Sequence, residues 1–397
     1  YGGGDGATAS AVGSTLGLGL LQSSNPLHRL PHPLPVQEDA ARAPLRAGVR
    51  ILRSDRGRGD LDGRGVLLGS PSSPQKANVV ARIMVEADLL GHVTHGLQLC
   101  PSYLEELEAG TMEASGEHEV IKDSGVVAVW DGRYLPGCWL TQLAVEDAIE
   151  KAKKTGIAAT GVRNSGHYGA AACYTMMAVE QKMIGFATTN TGGASVAAPG
   201  GAEPVVANNA LSYGFPAGSK QPILLDMACA VASWGKVETL RMYGEPIPPG
   251  WLLDSEGLPV TVPSDVGRML APAAGARGYG LALAMGTLAG PLVGGLLACH
   301  KESGDKNPSE HFFIAINVGS FTDYDEYVSE VENGIDTVQK SRTAPDNDQV
   351  FLPGEIEWDN RQKSIKEGIP LHIDHLRALS EVAAQLDVDI PWLRLEK

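Results

Sequence analysis

A chain of 397 residues can bury one large core or two moderate ones, and 43% hydrophobic with 20% charged residues is ordinary globular usage. The formal net charge of -15 excludes the clustered-cation chemistry by which proteins hold nucleic acid or anionic membranes nonspecifically. Five cysteines (Cys100, Cys138, Cys173, Cys229 and Cys299), odd in number and without a C-x-x-C pair, suggest neither a disulfide framework nor a zinc site and fit a reducing, cytoplasmic setting.

Residues 1–73 have few apolar residues in periodic order and read as a low-complexity, disordered or atypical segment. Its LGLGLL run is too short for a signal peptide, and its GRGDLDG has the wrong spacing for a dinucleotide fingerprint. From Gln75, Val79, Ile83, Met84, Ala87 and Leu90 recur at helical spacing, with Gly91 beyond the end. His95 then falls in a loop before a second helical segment, an exposed setting suited to chemistry. Together, 74–125 reads as a helical segment carrying His95 and packed with helices at the C-terminus.

A β-rich run from Val126 to Trp130 leads into the amphipathic LTQLAVEDAIEKAKKTG, whose lysines and Gly156 make a helix terminus. IAATGVRN, AAACYTMMAVEQKM and IGFATTN read as strand, helix and strand, the pattern of a right-handed parallel crossover unit. ANNALSYGFPAG and PILLDMA are further apolar runs, followed by a helix through Trp234, Lys236, Val237 and Leu240 and a linker full of turn signals. ARGYGLALAMGTLAG begins another helix, HFFIAINVGSF is a strand, and HLRALSEVAAQL is a final amphipathic helix. The apolar run Leu281 to Cys299 has the length of a membrane span, but its glycines and Pro291 point to a buried helix breaking into a turn. This pattern makes 126–355 an α/β domain and 356–397 a C-terminal helical segment.

His167 lies in NSGHYG, just after a predicted strand, with Arg163 and Asn164 close by. Imidazole is the side chain that exchanges protons near neutrality, as hydride chemistry on an alcohol or ketone requires. Arg163 can pair bidentately with a substrate carboxylate or, more blandly, form a surface ion pair. The pairs His92/His95 and His372/His375 lack a third ligand, so no metal is expected. Asp226, ending a strand, can cap the next helix or take ribose hydroxyls, capping being the simpler role.

THG followed by PSYLEELEAG, VRNSGHYGAA, PGG-EP-VANNALSYGFP, PILLDMA followed by GK, GWLLD-EG, RGYGLAL, HFFIAI and FLPGE occur in one order from about Gln75 to the C-terminus. By these motifs the chain resembles the malate/L-lactate dehydrogenase family, which also includes sulfolactate and ureidoglycolate dehydrogenases and cyclic-imine reductases. The resemblance implies a mixed-sheet, sulfolactate dehydrogenase-like, non-Rossmann NAD(P)-binding α/β fold with flanking helical segments, and a homodimer with its active site near the subunit boundary. It implies catalytic roles for His167 and His95, a substrate pocket including Tyr103, and cofactor contacts at Thr191, Asp226, Met227, Ala228, Arg277, Gly278, Pro353, Gly354 and Glu355. Arg163 and Asn164 complete the expected substrate contacts. The implied activity is hydride transfer between NAD or NADP and a small 2-hydroxy or 2-oxo acid. Alternatives are reduction of a cyclic-imine carboxylate and a catalytically weak nucleotide-binding homologue.

Three departures accompany the resemblance. Thr94 stands where the family has serine, Leu99 where it often has arginine, and no counterpart of its first helix precedes Gln75. Leu99 removes a charged carboxylate contact, which implies a different substrate or weaker binding.

Overall fold

The computed structural model describes residues 74–386 apart from 243, 261–268, 303–305 and 307. The expectations for residues 1–73, for the signal-like LGLGLL and for GRGDLDG lie outside the described residues. Helix α1 (Pro74–Leu89) places Ala77, Val80, Met84 and Ala87 in the core, as the helical spacing requires. Two short 3-10 turns, Val93–His95 and Leu97–Leu99, link it to α2 (Cys100–Glu108).

Strands β1 (Glu119–Asp123) and β2 (Val127–Asp131) form a hairpin, α3 spans Gly137–Thr155, and β3 (Ile157–Ser165) pairs parallel to β2. The α3 terminus is as expected: Lys153 and Lys154 lie in the last turn and Gly156 has φ +83°. Helix α4 (Ala172–Val179) then leads to β4 (Met183–Asn190). The β3–α4–β4 crossover joins parallel strands that are not neighbours. Strand β12 (Ser309–Asn317) lies between them and pairs antiparallel with both. The adjacent parallel unit is instead β2–α3–β3. Local strand, helix and strand patterning cannot reveal a strand inserted from more than a hundred residues downstream, because that pairing is non-local.

Strands β5 (Val196–Ala197) and β6 (Pro204–Val206) precede β7 (Ala210–Phe215) and β8 (Ile223–Ala228), which complete a seven-stranded sheet in the order β1-β2-β3-β12-β4-β7-β8. Helix α5 (Trp234–Met242) is followed by β9 (Leu252–Leu253), β10 (Pro259–Val260) and β11 (Met269–Leu270), which join β5 and β6 in a five-stranded sheet. The turn-rich linker thus contributes strands too short to show alternation.

Helix α6 (Ala276–Ala289) ends at Gly290, before the turn Pro291–Val293, and breaks the long apolar run as expected. The burial expected of that run holds on one side only: Ala282, Met285 and Ala289 are buried, whereas Leu281, Leu283, Leu292 and Leu296 are exposed. Among the described residues no helix is long and apolar enough to cross a membrane.

Alternation along the central strands separates two cores. Ala158, Val162, Ala187, Phe313 and Ala315 join α1, α3 and α4 on one face; Phe186, Phe312 and Ile314 pack with α6 and the smaller sheet on the other. Helices α7 (Tyr324–Gln339), α8 (Glu355–Glu367) and α9 (Ile373–Gln385) close the chain. Helix α8 packs on α1, where Arg361 pairs with Glu86, and α9 packs on α2.

Candidate active site

The sheet register brings the chemistry to one edge. Strands β2 and β3 are parallel, β12 runs opposite with Ser309 beside Ser165, and Glu310 of β12 sits beside Asn190 at the end of β4. Strands β7 and β8 continue the alternation, with Ala210 opposite Ala228. Consequently the carboxyl ends of β2, β3, β4 and β8 lie at the same edge, the position where open α/β sheets present ligand sites. His167 follows β3 by two residues, Thr191 follows β4, and Asp226 to Ala228 end β8.

His167 and His95 stack there with ring centroids 5.7 Å apart and planes 25° from parallel. His167 Nδ1 lies 2.7 Å from the Tyr103 hydroxyl and accepts the Gly169 N–H at 3.3 Å. Thr94 Oγ1 lies 2.9 Å from His95 Nδ1. Burial, with His95 and His311 adding like charge, lowers the pKa of His167 to about 3. Burial, then His92 and Lys236, lowers that of His95 to about 4. Both rings are therefore neutral at pH 7. His95 is half-buried rather than exposed as expected from its loop position, because the start of α5 closes over it: a Cβ on Gly235 would come within 2.7 Å of the Thr94 side chain.

Behind His167 stands a histidine not expected from the sequence. His311 on β12 is fully buried, with Nδ1 3.0 Å from Thr189 Oγ1, Nε2 3.0 Å from Ser165 Oγ, and its ring stacked 4.7 Å from Tyr168. Tyr168 stacks in turn on Tyr174, whose hydroxyl donates to the Tyr168 carbonyl. The one signal for His311 is that it is a polar residue opening an otherwise apolar central strand, HFFIAI.

Arg163 and Asn164 are brought together on Asp131, through Arg163 Nε at 3.2 Å and Asn164 Nδ2 at 2.9 Å to the same oxygen. Arg163 thus forms an ion pair of the kind weighed for it. Asp226 does act as a cap, but of α4: Oδ2 accepts the Ala172 N–H at 3.0 Å, and His92 Nε2 is 3.8 Å away. The capped helix lies earlier in the chain than the one expected, since α4 packs against β8. Burial raises the Asp226 pKa, opposed by His92 and the Ala172 bond.

Two further segments expected to hold the cofactor lie against β8, one at each end. Leu224 N–H donates to the Pro353 carbonyl at 3.0 Å, which seats the turn with Gly354 (φ +90°) and Glu355 beside the strand. Ala273 N–H donates to the Cys229 carbonyl at 2.9 Å, which brings the start of α6, with Arg277 and Gly278, to the carboxyl end of β8, whereas the Pro353 turn sits at its amino end. Gly278 is needed there, as a Cβ would lie 2.3 Å from the Ala273 carbonyl oxygen and 2.6 Å from that of Cys229. The first turn of α6 contains no acid, and Arg277 is exposed without an ion pair among the described residues. A guanidinium without an ion pair at a helix start suits a diphosphate. Among the described residues no group of three or more His, Cys, Asp and Glu gathers as a metal site. The His372 ring instead accepts from Asp374 N–H at the start of α9.

Comparison with known proteins shows the family and the fold. The sequence model of the family described as malate/L-lactate dehydrogenase matches residues 64–380, starting upstream of the Gln75 at which the motifs begin. The chain is 36% identical over 332 residues to malate dehydrogenase of Pyrococcus abyssi, covering 81% of this chain and 91% of that protein. The crystal structure of malate dehydrogenase from Entamoeba histolytica superposes with a TM-score of 0.77 at 28% identity, covering 81% of this chain and 94% of that one. Sulfolactate dehydrogenase from Methanocaldococcus jannaschii gives 0.74 at 29% identity, covering 89% and 97%.

Proposed function

From the premise that the chain belongs to the malate/L-lactate dehydrogenase family, and is thus an oxidoreductase of CH–OH donors, we propose NAD(P)-dependent interconversion of a small 2-hydroxy acid and its 2-oxo acid. The observation that carries the chemical assignment is the stacked pair of neutral histidines, one of them bound through Nδ1 to Tyr103. A nicotinamide, when bound, supplies or accepts the hydride at C2. Thr191, the Asp226–Ala228 strand end, Arg277 with Gly278 and the Pro353–Glu355 turn would hold that cofactor. The Arg277 guanidinium would meet its diphosphate.

In the oxidation direction the His167 ring works as its Nδ1–H tautomer, with that proton on the Tyr103 hydroxyl in place of the Gly169 contact, so that the lone pair of Nε2 takes the proton of the alcohol; in reduction the imidazolium returns it from Nε2 to the developing alkoxide. The Tyr103 hydroxyl is suited to both states, since it accepts from Nδ1–H whether the ring is neutral or charged and so fixes the tautomer that leaves Nε2 as the base. Burial raises its pKa well above the ordinary value, so it remains a phenol throughout. His95, stacked against the working ring and close to Lys236, completes the wall against which the substrate carboxylate is drawn. That carboxylate offsets the cost of charging a buried imidazole. Two copies of the chain in a homodimer remain part of the proposal, as does a cytoplasmic setting.

Leu99 supports a second reading. It packs against the main core cluster and offers no charge where the resemblance implies an arginine, so a cyclic-imine carboxylate is the alternative substrate. The test is oxidation of NADH and NADPH by the purified chain with oxaloacetate, pyruvate, sulfopyruvate and a cyclic-imine carboxylate, repeated with His167→Ala. Turnover of an oxo acid that disappears in the variant is expected. Turnover of the imine alone would replace the substrate class, and near-normal activity of His167→Ala would sink the role of that residue.

A further inference from the structure

Helix α1 carries a carboxylate on its buried stripe. Asp88 follows Ala77, Ala81 and Met84 at helical spacing and is 2% exposed, beneath the loop that bears His95. Its Oδ2 accepts the Leu97 N–H at 2.9 Å, whereas Oδ1 is buried without a hydrogen-bond partner. Gly96 lies directly against the carboxyl: a Cβ at that position would fall 1.9 Å from Oδ1 and 2.2 Å from Cγ. The carboxyl packed against its Cα thus excludes a side chain at that position.

Two 3-10 turns meet at this point. One is closed by His95 N–H to the His92 carbonyl and Gly96 N–H to the Val93 carbonyl, the other by Leu99 N–H to the Gly96 carbonyl. The first turn presents His95; the second opens directly into α2, which presents Tyr103. Both partners of His167 are thus placed from the junction that Asp88 grips. A buried acceptor left half satisfied is costly, and burial pushes the Asp88 acid up to about 7. Such costs persist where the surroundings fix them, typically beside functional groups.

We propose that Asp88 is the positioning residue for His95 and Tyr103: through Leu97 N–H and the bare Cα of Gly96 it sets the angle between the two turns, so that both side chains meet His167. The inference rests on the proposed roles of the histidines. Because the acceptor and not the charge does the positioning, Asn can replace Asp and Ala cannot.

The experiment compares Asp88→Ala, Asp88→Asn, Gly96→Ala and Asp88→Ala/Gly96→Ala by steady-state kinetics with the reducing cofactor and oxo acid, and by imidazole NMR of His95 and His167. Asp88→Ala and Gly96→Ala are each expected to lower kcat about 10- to 100-fold with the cofactor KM unchanged, the scale of a small misplacement. The His95 ring resonances should move in both. Asp88→Asn should stay within about 3-fold of the parent, and the double variant should be no worse than Asp88→Ala, because the methyl then fills the space the carboxyl left. Unmoved His95 resonances in Asp88→Ala and Gly96→Ala would overturn the proposal, as would equal losses of kcat and cofactor binding. If Asp88→Ala does not fold, Gly96→Ala and Asp88→Asn still decide the question. Absence of turnover in the parent defeats the dehydrogenase reading, while the NMR shifts continue to judge the role of Asp88.

Discussion

The loop of His167 and the loop of His95 meet face to face but are held by opposite means. His167 leaves the end of a central strand and rests on a column of stacked rings, His311, Tyr168 and Tyr174, with both nitrogens of His311 bonded. His95 sits between two short turns whose junction is fixed by one buried carboxyl with an orphaned oxygen. The first arrangement is saturated and stabilising; the second is costly to the fold and serves placement. Substitutions behind His167 should therefore read out mainly as stability, and those beneath His95 mainly as turnover.

The largest effect should fall on His167 itself. His167→Ala is expected to lower kcat by about 10²- to 10⁴-fold, the usual contribution of a positioned acid/base, and to cost about 1 to 3 kcal/mol of stability by leaving the buried Tyr103 hydroxyl unpaired. Tyr103→Phe removes only the hydroxyl on Nδ1 and should cost about 10-fold. In the oxidation direction, kcat/KM should show no histidine limb between pH 5 and 8. The pKa of the free ring is lowered to about 3, so its basic form persists throughout that window. A limb near pH 6.5 would mean that the ring is not desolvated as described.

Next in size is the pH dependence of stability at Asp88. Its pKa in the folded chain, about 7, exceeds the ordinary 3.8, so the protonated acid is the form the fold prefers. Stability from this group is complete below pH 3.8 and is lost as pH rises toward 7, by on the order of 4 kcal/mol if no relaxation occurs. Asp88→Asn should accordingly unfold at higher denaturant than the parent at pH 8 and at the same denaturant at pH 4. His167 and His311 act in the other direction. Their lowered pKa values mean that stability present above pH 6.5 is lost as the unfolded chain takes up protons below it. Equal stability of parent and Asp88→Asn at pH 8 would remove the contrast between the two loops.

Much of this comparison was legible in the sequence, and the illegible part has a physical reason. The helical spacing from Val79 to Leu90, the strand before His167 and the order of motifs were local signals, and the family follows from them. The insertion of β12 between β3 and β4 was not legible, because it depends on pairing Ser309–Ile316 with residues about 150 positions earlier. The two-residue strands of the smaller sheet lack any period to detect. Asp88 left a faint trace, a carboxylate on the apolar stripe of α1, as did His311 in an apolar strand. Asp131 as the shared partner of Arg163 and Asn164 needed the parallel register of β2 and β3, in which Asp131 lies beside Arg163.

Behind His167, His311→Leu tests the saturated side. The leucine removes a stacked ring and leaves Ser165 and Thr189 without their imidazole partner, a combination expected to cost about 3 kcal/mol in chemical denaturation. Its kcat should fall less than that of Gly96→Ala. If turnover collapses while stability holds, the column of rings is a catalytic support rather than a structural one, and the contrast between the loops reverses.

The smallest effect is expected at Arg163, and it separates the two roles weighed for that residue. Its guanidinium is about 30% exposed and pairs with Asp131, which also holds Asn164 and accepts the Arg133 N–H at 3.0 Å. Asn164 has φ +51°, a conformation that needs support, and the Asp131 carboxylate is that support. Gly294 lies against the arginine, since a Cβ there would come within 2.7 Å of Nη1, so the side chain is wedged between β2 and the turn after α6. A guanidinium fixed in this way has little freedom to turn to a substrate. Arg163→Met should therefore lower stability by about 1 kcal/mol, the scale of a partly exposed ion pair, and weaken apparent binding of the acid by no more than about 2-fold. If the variant instead needs about ten times more acid to reach half-maximal rate, at unchanged stability, the guanidinium belongs to the substrate carboxylate and makes the contact that Leu99 cannot.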